Sequence, residues 1–199
     1  HRTFRYGDPE AAFENADTVV SLDWRYPRYA STPMETYGLV ANFERQPDRY
    51  TIWSNFQGPF ILHALMTGAL GVAGNRLRLI TSPHSGGSFG IKQAMFPYMV
   101  LLAGCSKVLG CPLKWIEDRL EHLVGSSTAS DRADRVEAAF SNDGELVGLR
   151  FENLVNVGAY VRAPEPASVY RMHAASNGCY RVQNIFVDNR LVVTNTTPI

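Results

Sequence analysis

Two short segments of this sequence place glycine beside residues that could bind an anionic or oxygen-bearing ligand. The first, the glutamine turn (residues 57–59), reads Gln57-Gly58-Pro59 and joins a strand-like run to a helix-like run. The second, the glycine loop (residues 85–92), has the same setting and holds three glycines around one phenylalanine. Main-chain N–H groups at such turns and at helix N-termini point outward, and the helix dipole favours negative charge. Both segments are therefore candidates for binding a ligand through main-chain amides.

The glycine loop does not match the common nucleotide-binding motifs. A P-loop requires Gly-Lys-Ser/Thr, whereas Ile91 separates Gly90 from Lys92 here, and the dinucleotide pattern Gly-x-Gly-x-x-Gly is absent. Residues 87–90 have the Gly-x-x-Gly form of an RNA-clamping KH loop but contain no basic residue. By spacing alone, a tight structural turn is the favoured interpretation and a ligand site is the alternative.

Other polar residues are open to more than one interpretation. Lys92 could bind a ligand, be solvated or pair with an acid, and Glu35 is expected to be buried and paired rather than catalytic. The charged run at residues 117–122 is typical of a capped helix start with local ion pairs. The histidines lack the spacing of metal ligands, and the three cysteines match no Cys-x-x-Cys pattern.

Composition excludes several classes of function. Nineteen acidic and nineteen basic residues balance among the 199, so no overall field favours nucleic acid or an anionic membrane. The longest apolar run, residues 99–103, is far shorter than the roughly 20 residues of a membrane span. The cysteine pattern fits a reducing compartment, so we expect a cytoplasmic protein. The start at His1, without methionine, predicts a piece of a longer polypeptide or one half of a split one.

Apolar periodicity and turn residues predict the elements that position the two segments. The predicted strands are residues 20–26 with one buried face, a hairpin at 39–54, 76–81, 113–116, an Asp-Gly hairpin at 135–151, and 185–194. Two predicted helices begin at Pro9 and Pro59, and a third spans 118–123. Residues 96–108 are apolar almost all round, which predicts a buried helix. This mixed order predicts an α+β fold, with helices packed on a mixed, mostly antiparallel sheet. We expect residues 1–199 to form one domain or two closely packed subdomains.

Six segments, in order along the chain, resemble motifs of the molybdenum hydroxylases, the family of xanthine oxidase, aldehyde oxidoreductase and aerobic carbon monoxide dehydrogenase. One segment, Gly86-Gly87-Ser88-Phe89-Gly90-Ile91-Lys92-Gln93, overlaps the glycine loop and resembles the family's Gly-Gly-Gly-Phe-Gly-Gly-Lys. The other five are Phe4-Arg5-Tyr6-Gly7-Asp8 with Ala11-Ala12-Phe13, Pro33-Met34-Glu35, Ile52-Trp53-Ser54-Asn55-Phe56-Gln57-Gly58-Pro59, Lys114-Trp115-Ile116-Glu117-Asp118-Arg119-Leu120-Glu121-His122, and Val193-Thr194-Asn195-Thr196-Thr197-Pro198.

The resemblance implies the first part of a large-subunit region that binds molybdopterin, either as such or in its cytosine dinucleotide form. It implies that the cofactor-binding residues are Gln57, Gly86, Gly87, Ser88, Phe89 and Gly90. Gln57 and Phe89 would lie near the molybdenum without coordinating it, Gln57 donating a hydrogen bond to an oxygen ligand and Phe89 excluding water. Gln93 would contact the substrate, and its neutral amide, where purine-oxidising members carry glutamate, argues against a purine.

The implied reaction hydroxylates an aldehyde, an N-heterocycle or a similar small substrate, or oxidises carbon monoxide, with oxygen taken from water. Electrons would leave through iron–sulfur clusters to FAD, so the implied partners are the remainder of the molybdopterin subunit, an iron–sulfur subunit and an FAD subunit. The family's base glutamate would lie beyond Ile199. We therefore expect no catalytic residue within this chain, which alone would be an incomplete catalyst.

Two departures from the motif favour an alternative hypothesis. Ser88 and Ile91 each replace a glycine, and isoleucine would be strained at a position that requires a positive φ. The alternative is a non-catalytic or degenerate assembly module of the same fold that binds no metal.

Overall fold

The computed structural model describes residues 1–129, 131–162 and 175–199. In these residues the strands are β1 (Arg2–Tyr6), β2 (Thr18–Tyr26), β3 (Gly38–Glu44), β4 (Arg49–Ser54), β5 (Leu77–Thr81), β6 (Leu113–Ile116), β7 (Asp131–Phe140), β8 (Leu146–Gly158) and β9 (Asn184–Val193). The α-helices are α1 (Pro9–Glu14), α2 (Pro59–Leu70), α3 (Phe96–Leu109) and α4 (Arg119–Gly125). Short 3-10 turns lie at Gly74–Arg76 and Ile91–Gln93.

The chain divides into two compact units. The first unit comprises His1–Tyr29 and Thr128–Ile199. Its five-stranded sheet has the order β1-β9-β8-β7-β2, in which only the β8–β9 pair is parallel among the described strands. Helix α1 packs on β8 and β9. The unit has two hydrophobic clusters, one formed by Leu149, Val182, Ile185 and Val187 and the other by Val155 and Val157.

The second unit, Ala30–Ser127, holds both the glutamine turn and the glycine loop. Its four-stranded sheet has the order β5-β4-β3-β6, with β4 and β5 parallel and the other pairs antiparallel. Helix α2 connects β4 to β5, and α3 packs across β3, β4 and β6. The hydrophobic core of this unit is formed by Tyr37, Leu39, Ala41, Tyr50, Ile52, Phe56, Leu62, Met66, Leu77, Ile91, Met95, Met99 and Ala103. The predicted α+β class, with mixed, mostly antiparallel sheets and packed helices, is confirmed.

Local sequence signals set the ends of the helices that flank the candidate site. Helix α2 has Pro59 in its first turn and begins after Gly58, whose φ of 71° is left-handed. Proline suits this position because its missing N–H would have no helical partner there. Helix α3 ends at Gly110, with φ 69°, as the sequence predicts.

Two burial predictions were wrong. Strand β2 was expected to have one buried face, yet all nine of its residues are exposed. It is at the edge of its sheet, and α1 packs on the strands on the other side of β7. Helix α3 was expected to be a buried helix, but its fully buried residues, Met99, Ala103 and Ser106, form one stripe, while Val108 is 83% exposed.

None of the helices in the described ranges has the length and apolar character needed to span a bilayer.

Candidate functional site

The glutamine turn and the glycine loop lie at the same edge of one sheet. The turn follows β4 and the loop follows β5, and these strands are parallel neighbours, paired from Tyr50–Leu77 to Ser54–Thr81. Because parallel strands end at a common edge, the segments that follow them meet there. Ligand crevices in sheets with parallel strands form at such edges.

Direct hydrogen bonds join the two segments. The hydroxyl of Ser88 donates to Oε1 of Gln57 at 2.5 Å, and the main-chain N–H of Gln57 donates to the carbonyl of Lys92 at 3.4 Å. Gln93 also lies here, since a Cβ added at Gly58 would be 2.8 Å from Gln93 Nε2. The structure therefore brings together three residues that the sequence singled out separately.

Ser88 and Ile91, the two departures from the family motif, do not have a left-handed backbone. Positive φ angles occur at Gly87 (93°), Phe89 (51°) and Gly90 (90°). Ile91 instead begins the 3-10 turn and is 4% exposed in the core. The isoleucine is thus a packing residue without backbone strain, and the strained side-chain-bearing residue of the loop is Phe89.

Glycine is needed at the three glycine positions of the loop for different reasons. A Cβ at Gly86 would lie 2.4 Å from the Cβ of Glu35, so no side chain fits without movement. Gly87 and Gly90 have space around the added Cβ, with only Pro33 at 3.6 Å from the former and no atom within 4 Å of the latter. Their positive φ angles are the reason for glycine there.

Four consecutive main-chain N–H groups of the loop are open to a ligand. The amides of residues 87–90 donate no hydrogen bond to any residue in the described ranges. The flanking amides are engaged, since Gly86 donates to Glu35 Oε2 at 3.0 Å and Ile91 donates to the carbonyl of Ser88 at 3.3 Å. Consecutive unpaired amides form a concave surface that attracts anions and oxygen ligands.

The side chain of Phe89, in the glycine loop, is largely exposed to solvent. It is 77% exposed in the described part of the chain. An exposed aromatic ring on a strained backbone adds little to folding, and backbone strain of this kind is found mostly at ligand and active sites. Its role beside the metal, implied by the family resemblance, stays a prediction.

Lys92 pairs with an acid, which decides between the alternatives left open for it. Its side chain is 1% exposed, and its ammonium forms an ion pair with Oε2 of Glu35, whose side chain is 36% exposed. Burial raises the pKa of the Glu35 carboxyl, but hydrogen bonds from Lys92 and from the Gly86 N–H outweigh this and hold the pKa below its ordinary value. Glu35 is therefore ionised and bonded to the first and last parts of the glycine loop.

A buried hydrogen-bonded pair, Glu117 with His122, supports the segment that carries Glu35. His122 Nδ1 lies 2.6 Å from Glu117 Oε2, and His122 Nε2 lies 3.1 Å from the carbonyl of Ser31. Arg119 donates to the carbonyls of Pro33 and Met34 at 2.7 and 2.9 Å. The charged run at residues 117–122 thus fastens residues 31–34.

The sequence predicts the capped helix start of this run but not its contacts with residues 31–34. Asp118 is the N-cap of α4 and forms a capping box with Glu121. The signal that could have indicated these contacts is that Glu117 and His122 both lie in the segment that resembles a family motif, residues 114–122. No group of three or more potential metal-ligating side chains occurs among the described residues; His173 lies outside them.

Comparisons with known proteins support the resemblance seen in the motifs. The chain is 37% identical over 164 residues to the nicotine 6-hydroxylase large subunit of Paenarthrobacter nicotinovorans, covering 82% of this chain and 20% of the relative. It is 32% identical over 191 residues to the carbon monoxide dehydrogenase large chain of Hydrogenophaga pseudoflava, covering 95% of this chain and 24% of the relative. The chain thus spans about a fifth to a quarter of these relatives.

The fold has close matches among solved structures. Quinoline 2-oxidoreductase from Pseudomonas putida 86 superposes with a TM-score of 0.83 at 27% identity, over 100% of this chain and 26% of the other. The family model described as the molybdopterin cofactor-binding domain matches residues 1–199. The family predicted from the six motifs is therefore confirmed, and the chain belongs to the molybdopterin cofactor-binding domain family.

Proposed function

We propose that this chain supplies the glutamine turn and the glycine loop as one wall of a molybdopterin site in a molybdenum hydroxylase. The observation that carries the proposal is the row of four unpaired amides at residues 87–90 beside the side chain of Gln57. Preorganised N–H donors of this kind are worth several kcal/mol toward negative charge on oxygen when water is excluded.

The residues present fit such a cofactor. The Gln57 Oε1 accepts from Ser88, so the amide group left to face a ligand is the Nε2 donor. The open space above Gly90 lets an oxygen-bearing group reach the main chain. When bound, the cofactor would supply the redox centre for hydroxylation with oxygen derived from water. The chain's own part is to donate hydrogen bonds from Gln57 and residues 87–90 and to exclude water with Phe89.

For the parent enzyme we propose an aldehyde or N-heterocycle as substrate. The names of two relatives, a nicotine hydroxylase and a quinoline oxidoreductase, support the N-heterocycle class. Gln93, packed against Gly58, would face the substrate with a neutral amide that can donate or accept. The partners we propose are the remainder of the molybdopterin subunit, an iron–sulfur subunit and an FAD subunit. The names of two relatives, a large subunit and a subunit gamma of a complex, support an assembly of several subunits.

The alternative, an assembly module that binds no metal, loses most of its support in the structure. It was favoured by Ile91 and Ser88, but Ile91 is a core residue with no positive φ. Ser88 forms the bridge to Gln57. Neither residue blocks the row of open amides.

The test uses the parent enzyme purified with its partner subunits. We expect stoichiometric molybdenum by elemental analysis, and we expect Gln57→Ala to lower kcat about 100-fold, as loss of one preorganised donor does. Gln183→Ala is the matched control, because Gln183 is an exposed glutamine of the first unit and should leave turnover unchanged. A metal-free enzyme that assembles fully would establish the module instead, and unchanged turnover in Gln57→Ala would remove Gln57 from the site.

A further inference from the structure

Ser88 stands where the family motif carries glycine, and its hydroxyl lies between the two segments of the site. It accepts a hydrogen bond from the main-chain N–H of Lys92 at 3.2 Å and donates to Oε1 of Gln57 at 2.5 Å. Because an N–H can only donate, the oxygen of the hydroxyl serves Lys92 and its single hydrogen is free for Gln57.

This arrangement selects one of the two orientations of the Gln57 amide. In the observed one, the Ser88 hydrogen has an acceptor and Nε2 of Gln57 is left as a donor. In the flipped one, Nε2 would donate to the hydroxyl oxygen beside the Lys92 N–H, and the Ser88 hydrogen would lose its bond to Gln57 and turn to solvent. Glycine at this position could not distinguish the two, since oxygen and NH2 ends have nearly the same shape.

The backbone holds Gln57 in the same place. Its main-chain N–H donates to the carbonyl of Lys92 at 3.4 Å, so both its main chain and its side chain are attached to the glycine loop. The amide is exposed and would otherwise be free to rotate.

We propose that Ser88 is a positioning residue that turns the Gln57 amide so that Nε2 points as a donor toward an acceptor atom of the bound cofactor. The proposal rests on the function proposed above. It assigns Ser88 a role through Gln57 and gives a physical reason for a hydroxyl where the family motif has hydrogen.

The test compares Ser88→Ala and Ser88→Thr in the cofactor-loaded parent enzyme with its partner subunits. Ser88→Ala should lower kcat about 3- to 10-fold, the cost of one neutral hydrogen bond. Ser88→Thr keeps the hydroxyl and should restore most of the rate. Thr67→Ala is the matched control, because it removes a hydroxyl that donates to its own helix at Ala64.

A double-mutant cycle separates positioning from general support of the loop. If Ser88 acts through Gln57, Ser88→Ala should cost nothing further in a Gln57→Ala background. An equal loss in both backgrounds would show that the hydroxyl matters only through Lys92 and would overturn the proposal.

A spectroscopic readout is independent of turnover. In enzyme labelled with 15N-glutamine, electron–nuclear double resonance of the molybdenum centre should detect a coupled amide nitrogen that weakens in Ser88→Ala and is lost in Gln57→Ala. Full coupling in Ser88→Ala together with loss in Gln57→Ala would refute the positioning role and leave the proposed function standing. Coupling and turnover unchanged in Gln57→Ala would refute the proposed function itself.

Discussion

The buried ammonium of Lys92 and the carboxylate of Glu35 form an ion pair that joins the two ends of the glycine loop. The same carboxylate oxygen accepts from the N–H of Gly86, and the Glu35 N–H donates back to the Gly86 carbonyl at 3.3 Å. Glu35 thus binds both the first glycine of the loop, Gly86, and its final residue, Lys92, and we call these contacts the Glu35 clamp. The unpaired main-chain amides of residues 87–90 lie between the two attachment points.

The two partners of the clamp should differ in their effect on stability. Glu35→Gln leaves a fully buried ammonium without its counter-charge, so the free energy of unfolding should fall by about 2–3 kcal/mol. Lys92→Met removes the buried charge and replaces it with a side chain of similar volume. The half-exposed Glu35 carboxylate still accepts hydrogen bonds from the Gly86 N–H and from water, so the free energy of unfolding should fall by less than about 1 kcal/mol. Urea titration of both variants measures the difference. Equal losses would mean that the pair acts as an ordinary surface salt bridge.

The pH dependence of stability should reflect the clamp. The pKa of Glu35 is lowered in the folded protein, so its contribution to stability is complete above the unfolded pKa, about 4.3. The contribution is lost as pH falls through the lower, folded pKa. The stability difference between wild type and Glu35→Gln should therefore be constant near neutrality and shrink below about pH 4. Unfolding curves from pH 7 to pH 3 measure it, and a difference that does not depend on pH would contradict the ionised pair.

Gly86→Ala should disturb the loop because of the close approach of Glu35. The new Cβ would lie 2.4 Å from the Cβ of Glu35, so one backbone segment must move, at a cost of about 1–3 kcal/mol. Gly38→Ala is the control, because nothing lies within 4 Å of its added Cβ and its φ is not left-handed, so its effect should stay within about 0.5 kcal/mol. Thermal unfolding of both variants tests this, and similar values for the two would argue against the contact.

Phe89→Gly should stabilise the fold. The left-handed φ of Phe89 costs about 1–2 kcal/mol, and glycine relieves this cost while losing little packing, because the ring is 77% exposed. The greater freedom that glycine gives the unfolded chain offsets part of the gain, so the free energy of unfolding should rise by about 0.5 kcal/mol. Phe60→Gly is the control, since Phe60 is 90% exposed in the first turn of α2 and its replacement should destabilise by about 0.5–1 kcal/mol. Opposite signs in urea titration support strain at Phe89, whereas destabilisation by both would oppose it.

The elements that flank the site could be predicted because their signals are local. Pro59 and Gly58 mark the start of α2, Gly110 marks the end of α3, and alternating residues predict the β3–β4 hairpin. Each depends on the φ preference or the side-chain alternation of a few neighbouring residues. The burial of β2 could not be predicted in the same way, because alternation shows that a strand has two faces but not whether anything packs on either.

The family, the order of the elements and the residue types at the two turns can all be read from the amino-acid sequence. The sequence does not reveal which of those residues meet in the fold: Lys92 pairs with Glu35, 57 positions away, and Ser88 with Gln57, 31 positions away. Only the tertiary structure shows these contacts, and it also shows that Phe89, and not Ile91, has the left-handed backbone. The physical reason is that side-chain pairing depends on which strands are neighbours, and the parallel β4–β5 pair places two loops in contact that no local pattern connects.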